Sequence, residues 1–272
     1  MKLELHLPTD GFYQGTRFDR SGIFRSLQFR GTELCGPWFQ RYDPFMHDAV
    51  KGPAEEFSPV LLDGLWLKPG VGLLMPDSQP YDRFKLYPLA DPGRWETDGS
   101  RFNHYLEGCY DYVKEIAVTG ESSFEIRHTL KAFVDLQGSV YNHNFFTMGK
   151  MAVTPSRLID FPFRPEGGWR ARYDSVAFTP CGVRFSRALV EGESVYCGNI
   201  HEAAGEGMPY TMRLSEGPLS VTIKGDVPVQ KTVLWANHRI ACLEPYNSID
   251  LGAGQTFCWK IEYTLENNPV LP

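Results

Sequence analysis

The chain has 272 residues, 42% of them hydrophobic and 22% charged, with a net charge of −6. This composition is that of an ordinary globular protein, long enough for one large domain or two small ones. The acidic balance and the lack of a Lys/Arg cluster argue against nucleic acid as a partner, and no apolar run approaches the roughly 18 residues that span a bilayer.

The opening residues, Met1-Lys2-Leu3-Glu4-Leu5-His6-Leu7-Pro8, alternate polar and apolar side chains and predict a first β-strand. They contain no signal-peptide apolar core, so a cytoplasmic location is the default expectation. Next comes a polar cluster bracketed by glycines, Gly11-Phe12-Tyr13-Gln14-Gly15-Thr16-Arg17-Phe18-Asp19-Arg20-Ser21-Gly22. If it is extended, Arg17 and Asp19 share a face and could fork onto vicinal hydroxyls or onto each other. A turn carrying a surface ion pair fits the same residues. Segment 36–105 is rich in Pro, Gly, Asp and aromatics, which predicts long excursions over one sheet face, with a short helix within 54–66.

Period-two alternation then dominates. Ser26–Arg30, Ser123–Arg127, Leu219–Lys224 and Phe257–Tyr263 all read as half-buried antiparallel strands. Turn signals such as Lys68-Pro69-Gly70, Asp91-Pro92-Gly93 and Leu251-Gly252-Ala253-Gly254 separate such runs. With 26 Gly, 20 Pro and 14% aromatic residues, and without amphipathic helical runs, the expected class is all-β. A single large antiparallel β-sandwich domain over residues 1–272 is the expected organisation. The six cysteines are widely spaced, with no C-x-x-C pair. They predict free, mostly buried thiols and no structural zinc site.

Two segments carry chemistry. In Tyr141-Asn142-His143-Asn144-Phe145-Phe146 a strand would put His143 on one face and both asparagines on the other. A histidine that titrates near neutrality suits proton delivery to an ether-like oxygen, although a lone histidine in an aromatic strand is often a satisfied core residue. In Ile240-Ala241-Cys242-Leu243-Glu244-Pro245-Tyr246-Asn247 a carboxylate sits inside an apolar run. Glu244 therefore either pairs with a neighbouring cation such as His238 or Arg239, or has a catalytic use. Pro245 predicts that the strand ends there, at a rim. His143 and Glu244 form a plausible acid/base pair, and the neighbouring aromatics would suit stacking on a sugar ring. Metal ligation by His104, His143 and Glu244 finds no support in short-range ligand spacing, and no P-loop, dinucleotide fingerprint or G-x-S-x-G is present.

The chain resembles the galactose mutarotase-like superfamily, the aldose 1-epimerases and their sugar-phosphate relatives. The resemblance runs loosely along the whole length and is carried by "GIFRSLQFRGTEL", "VYNHNFF" and "RIACLEPYNSIDLGAGQTFCWKIEY". It implies a mutarotase-type β-supersandwich in which an Asn-His-x-x-Phe-like motif, here Asn142 to Phe146, supplies the general acid. It also implies that a late strand Glu, here Glu244, supplies the general base. The family's earlier Asn-x-x-His-Gly-Gly motif has no counterpart; His47 and His104 are the upstream histidines closest to that place. The implied activity is interconversion of sugar anomers without cofactor or metal. A small sugar is then the partner, with a homodimer left open, and Arg17, Asp19, Lys114, Asn142 and Asn144 are candidates for binding hydroxyls or a carboxylate. A non-catalytic carbohydrate-binding protein, and a lyase or hydrolase on the same sandwich, are the rival readings. For the main reading, the functional atoms of His143 and Glu244 are expected roughly 5–9 Å apart, by analogy with carboxylates flanking a sugar.

Overall fold

A computed structural model describes residues 1–77, 80–202 and 209–267. The first strands are β1 (Lys2–Leu5), β2 (Phe24–Phe29), β3 (Thr32–Glu33), β4 (Gly52–Phe57), β5 (Val60–Leu62), β6 (Leu65–Lys68), β7 (Gly72–Leu74) and β8 (Leu89–Asp91). The central ones are β9 (Arg94–Thr97), β10 (Arg101–Leu106), β11 (Tyr110–Gly120), β12 (Ser123–Ala132), β13 (Leu136–Phe145), β14 (Arg157–Asp160), β15 (Pro165–Trp169) and β16 (Val176–Thr179). The chain then runs through β17 (Gly182–Phe185), β18 (Ser194–Glu202), β19 (Pro209–Glu216), β20 (Leu219–Pro228), β21 (Lys231–Asn237), β22 (Ala241–Leu251) and β23 (Thr256–Asn267). The described residues contain no α-helix, only a single 3₁₀ turn at His47–Ala49.

Period-two burial builds the main layer. On β11 the side chains of Tyr110, Tyr112, Lys114 and Ile116 are buried, and the residues between them are half-buried. On β23, Trp259, Ile261, Tyr263 and Leu265 point inward in the same way. These strands belong to a ten-stranded antiparallel sheet in the order β16-β17-β14-β19-β20-β23-β12-β11-β10-β9. A six-stranded sheet, β15-β18-β21-β22-β13-β4, packs on it. Phe57 of β4, for example, meets Trp259 of β23 at 6.2 Å between ring centroids. Two small sheets, β1-β2-β3 and β5-β6-β7-β8, complete the structure.

The middle of the six-stranded sheet departs from simple alternation. Residues 140–145 of β13 and 241–247 of β22 are buried on both faces. One face meets the ten-stranded sheet. The other is covered by side chains of the loops before β4, where Tyr13, Phe18 and Trp38 cluster with Phe145, Ile240 and Cys242. The start of the segment from 36 onward, with Trp38 and Val50, thus does travel over a sheet face, whereas much of the remainder forms β4 to β10.

Two local expectations are corrected. Residues 54–66 hold no helix; they supply most of β4, then β5 and the start of β6. Glutamate favours helices, but Glu55 and Glu56 pair with Asn142 and Tyr141 of β13, and this tertiary pairing overrides propensity. Nor does the strand end at Pro245, because β22 continues to Leu251. Pairing of β22 with β13 does stop at Tyr246 opposite Tyr141, one residue before a proline that has no N–H to offer. Beyond that point side chains bridge the two strands: Asn144 Nδ2 donates to the Leu243 carbonyl at 2.8 Å.

Candidate active site

Strand geometry places the site. His143 of β13 and Glu244 of β22 emerge from neighbouring antiparallel strands on the same sheet face, and Nδ1 lies 3.1 Å from Glu244 Oε1. The separation is shorter than the 5–9 Å range derived from glycoside hydrolysis. The two residues are cross-strand neighbours, whose Cβ atoms are typically about 5 Å apart. The contact is close enough for an ion pair but lacks hydrogen-bond alignment, so Nδ1 is a buried ring nitrogen without a hydrogen-bond partner. Glu244 pairs with His143 rather than with His238 or Arg239; Arg239 Nε instead donates to His238 Nε2 at 3.0 Å.

The other face of the imidazole is also occupied. His143 Nε2 lies 3.2 Å from Glu56 Oε2, and Arg17 Nε donates to that same oxygen at 2.6 Å. Arg83 approaches the second oxygen of Glu56 at 3.7 Å and donates to the Tyr141 hydroxyl at 2.5 Å. Burial alone would raise the Glu56 carboxyl, but the His143 bond and the charges of Arg17 and Lys68 outweigh it and hold it well below the usual range. Burial would lower His143, yet Glu244 and then Glu56 raise it above the ordinary histidine value. Lys68 responds in the opposite sense. Its fully buried ammonium is pushed down to about 7 by desolvation, which Glu56 only partly offsets.

Aromatic rings frame this cluster. Phe18 meets His143 edge-on at 5.0 Å, and Phe145 lies against it at 5.1 Å. Tyr141 and Tyr246 stack at 3.9 Å, and Tyr196 packs against them. A cation lies over each tyrosine: Arg83 over Tyr141, Lys231 over Tyr246 and Arg170 over Tyr196, at 5.6, 4.7 and 4.1 Å. The His143 side chain is 1% exposed and that of Glu244 10%, so a ligand on this face reaches Glu244 first. Surface clefts of about 440 Å³ beside Trp38 and His238 and of about 360 Å³ beside Arg164 and Phe178 contain neither His143 nor Glu244. Chemistry, not cavity size, makes this pair the candidate.

Of the residues put forward in the sequence for catalysis or sugar binding, the structure brings His143, Glu244 and Arg17 together and sends the others elsewhere; His47 lies close enough to Arg17, Glu56 and His143 to feel their charges. Asn142 and Asn144 point between the two large sheets, where both side-chain oxygens accept from the Tyr263 hydroxyl, at 2.8 and 3.1 Å. Lys114 is buried in that same interior. Its ammonium donates to Glu55 and to the Ser21 carbonyl at 2.9 Å, and lies 3.5 Å from Asp19. Asp19 also accepts from the Tyr112 hydroxyl at 3.1 Å, and Asn142 Nδ2 donates to Glu55 at 2.9 Å. Asp19, Lys114, Asn142 and Asn144 therefore spend their polar groups on one another and on buried partners, which corrects their placement as sugar-binding residues. Arg17 and Asp19 do not share a face: Arg17 turns to Glu56 and Asp19 to Lys114.

Glu55 and Glu56 are what sequence reasoning missed. Consecutive residues of a strand face opposite sides, so one dipeptide supplies a carboxylate to the interior network and another to His143. The signal was present in Gly52-Pro53-Ala54-Glu55-Glu56-Phe57, had period two been applied instead of helix propensity. Arg83 and Lys68 carried no local signal, since Arg83 reaches the site from a loop and Lys68 from the last position of β6.

Comparison with known proteins bears on the fold. A galactose mutarotase related enzyme from Lactobacillus acidophilus superposes with a TM-score of 0.53 at 9% identity, over 94% of this chain and 97% of the other. Galactose 1-epimerase from Lactobacillus acidophilus NCFM gives 0.51 at 8% identity over 98% of each chain. A galactose mutarotase-like protein from Clostridium acetobutylicum gives 0.50 at 12% identity over 90% of each. The fold is that of the galactose mutarotase-like proteins. No family model and no curated protein matches the sequence, so at this identity the likeness establishes the mutarotase-like architecture and nothing finer. Among the described residues no helix is long and apolar enough to cross a membrane.

Proposed function

We propose that this mutarotase-like protein interconverts the anomers of a sugar by acid/base ring opening. The observation that carries the reading is the His143–Glu244 pair, which meets at 3.1 Å on one aromatic-lined face. The Glu244 carboxylate takes the proton from the anomeric hydroxyl. The bond from C1 to the ring oxygen breaks, its electron pair passes to that oxygen, and His143 supplies the proton. Rotation about the bond between C1 and C2 and closure with the roles reversed give the other anomer. No oxidant, metal or external nucleophile enters this balance.

The short distance suits this chemistry. The anomeric hydroxyl and the ring oxygen are bonded to the same carbon, so acid and base need to reach only two adjacent oxygens. Glycoside hydrolysis must instead leave room for a water or a covalent intermediate between its carboxylates. Glu56, itself anchored by Arg17, orients His143 and favours its charged form. The cations over Tyr141, Tyr196 and Tyr246 favour an anionic sugar, a uronate or a sugar phosphate, on a protein that is acidic overall.

Anomer exchange measured by NMR over neutral hexoses, uronic acids and hexose phosphates tests the reading. His143→Asn and Glu244→Gln should each cut exchange by about 100-fold or more, the usual scale of general acid–base catalysis. Full activity in both variants would refute the mechanism. Binding without exchange by the unaltered protein would favour a carbohydrate-binding role.

A further inference from the structure

We propose that His143, Cys242 and Glu244 form a site for a thiophilic divalent cation of the Zn²⁺ type. Cys242 and Glu244 are two residues apart on β22 and therefore share a face, and His143 faces them from β13. Their ligand atoms all lie within 4.8 Å of one another, and all three residues are buried. One imidazole nitrogen, one sulfur and one carboxylate oxygen make a mixed donor set that suits Zn²⁺ or Co²⁺ and not Mg²⁺ or Ca²⁺. Bonds of roughly 2.0–2.3 Å in a tetrahedron require donors roughly 3.3–3.8 Å apart, within reach of rotamer adjustments at Cys242 and Glu244.

Two independent features of the surroundings point the same way. His143 Nδ1 is buried, makes no aligned hydrogen bond among the described residues, and lies 3.1 Å from the Glu244 carboxylate, one of the other two donors. The opposite nitrogen, Nε2, lies 3.2 Å from Glu56, whose oxygen Arg17 fixes. Metal-binding histidines characteristically donate their second N–H to a carboxylate, which leaves the first nitrogen as the ligand. The Asn144 backbone N–H also donates to Cys242 Sγ at 3.2 Å, although burial and Glu244 together hold the thiol well above its ordinary value, so an ion has to displace its proton. On binding, the thiol loses its proton and a charged His143 loses the Nδ1 proton, both to solvent. The ion then holds a thiolate, a neutral imidazole and a carboxylate, with a fourth position for water or ligand. A bound ion would occupy the atoms assigned to proton transfer, so it would silence anomer exchange. That consequence rests on the epimerase reading; the site does not.

The metal-stripped protein, titrated with Co²⁺, provides the test. One equivalent should give tetrahedral visible bands and a near-ultraviolet sulfur-to-cobalt charge-transfer band, both bleached by Zn²⁺. The charge-transfer band should vanish in Cys242→Ser and persist in Cys181→Ser and Cys258→Ser, which alter the two exposed thiols. Glu56→Gln should weaken affinity by about 10- to 100-fold. Absence of the band in the folded protein, or its survival in Cys242→Ser, would overturn the proposal. Should Cys242→Ser not fold, zinc-edge absorption of the unaltered protein decides. One sulfur at roughly 2.3 Å supports the site, and a shell of nitrogen and oxygen alone refutes it. Cobalt bound through sulfur in a protein whose metal-free form shows no anomer exchange would keep the metal site and remove the epimerase.

Discussion

Lys114→Met tests whether the interior charges hold the sandwich together. The lysine is 1% exposed and its two carboxylate neighbours, Asp19 and Glu55, are likewise sealed from solvent. Methionine nearly preserves the shape of the stem while removing the charge, which leaves two carboxylates without their cation in the interior. Burial would lower the lysine's proton affinity, but Glu55 and Asp19 raise it above the ordinary value, so the group is charged at any ordinary pH. Breaking a buried ion pair from one side costs about 3–5 kcal/mol. A chain of this length loses about 2 °C of melting temperature per kcal/mol, so the midpoint should fall by roughly 6–10 °C. Differential scanning calorimetry at neutral pH measures this, and adding Glu55→Gln to the variant should recover part of the loss by removing one orphaned charge. A midpoint within about 2 °C of the parent would refute the reasoning. A raised KM with unchanged stability would return Lys114 to the list of sugar-binding residues.

Two further expectations follow from the packing. His104 stacks on Trp95 at 4.1 Å and donates from Nε2 to the Pro92 carbonyl at 2.9 Å, and burial lowers its pKa to about 4. Because the unfolded chain takes up this proton near pH 6.5, stability should be lost as pH falls from about 6.5 to about 4, by up to roughly 3 kcal/mol. Urea unfolding across that window should show a flatter dependence in His104→Phe, and an unchanged slope would count against the assignment. Tyr263→Phe strips the shared donor from Asn142 and Asn144, and should cost about 1–3 kcal/mol by leaving buried amide oxygens unsatisfied. Thermal unfolding with no change beyond a few tenths of a kcal/mol would contradict that role.

Some of the strands with one wetter face were legible, while β10 and β11, which alternate in the same way, were not picked out. β2, β12, β20 and β23 follow directly from alternating runs, and alternation also predicts that His143 and the flanking asparagines face opposite sides. Legibility failed where both faces are covered. In β22 the whole of 241–247 is buried, so period two disappears, and Pro245 suggested an end where the strand continues. It failed again for Asp19, Lys114, Asn142 and Asn144, whose partners come from strands far apart in sequence. A polar residue that looks like a ligand-binding group and one that completes an interior network are the same letters until the partner is known. His143 and Glu244 could be named from local patterns, but their direct contact depends on the pairing of β13 with β22, which no local pattern encodes.

The Glu55-Glu56 dipeptide has a consequence for assembly of the sheet. Among the described residues β4 is an edge strand, paired only with β13, and a slip of one residue would turn each of its side chains to the opposite face. The slipped strand would still offer a carboxylate to the interior and another to His143, so the two glutamates cannot tell the correct alignment from the wrong one. Phe57 can. It is 1% exposed and wedged against Tyr112 and Trp259, and a slip would carry it out of that contact. Removing most of its burial would cost about 3–5 kcal/mol, the scale of a large aromatic truncation. A residue with no part in proton transfer thus decides which of two identical neighbours faces the histidine.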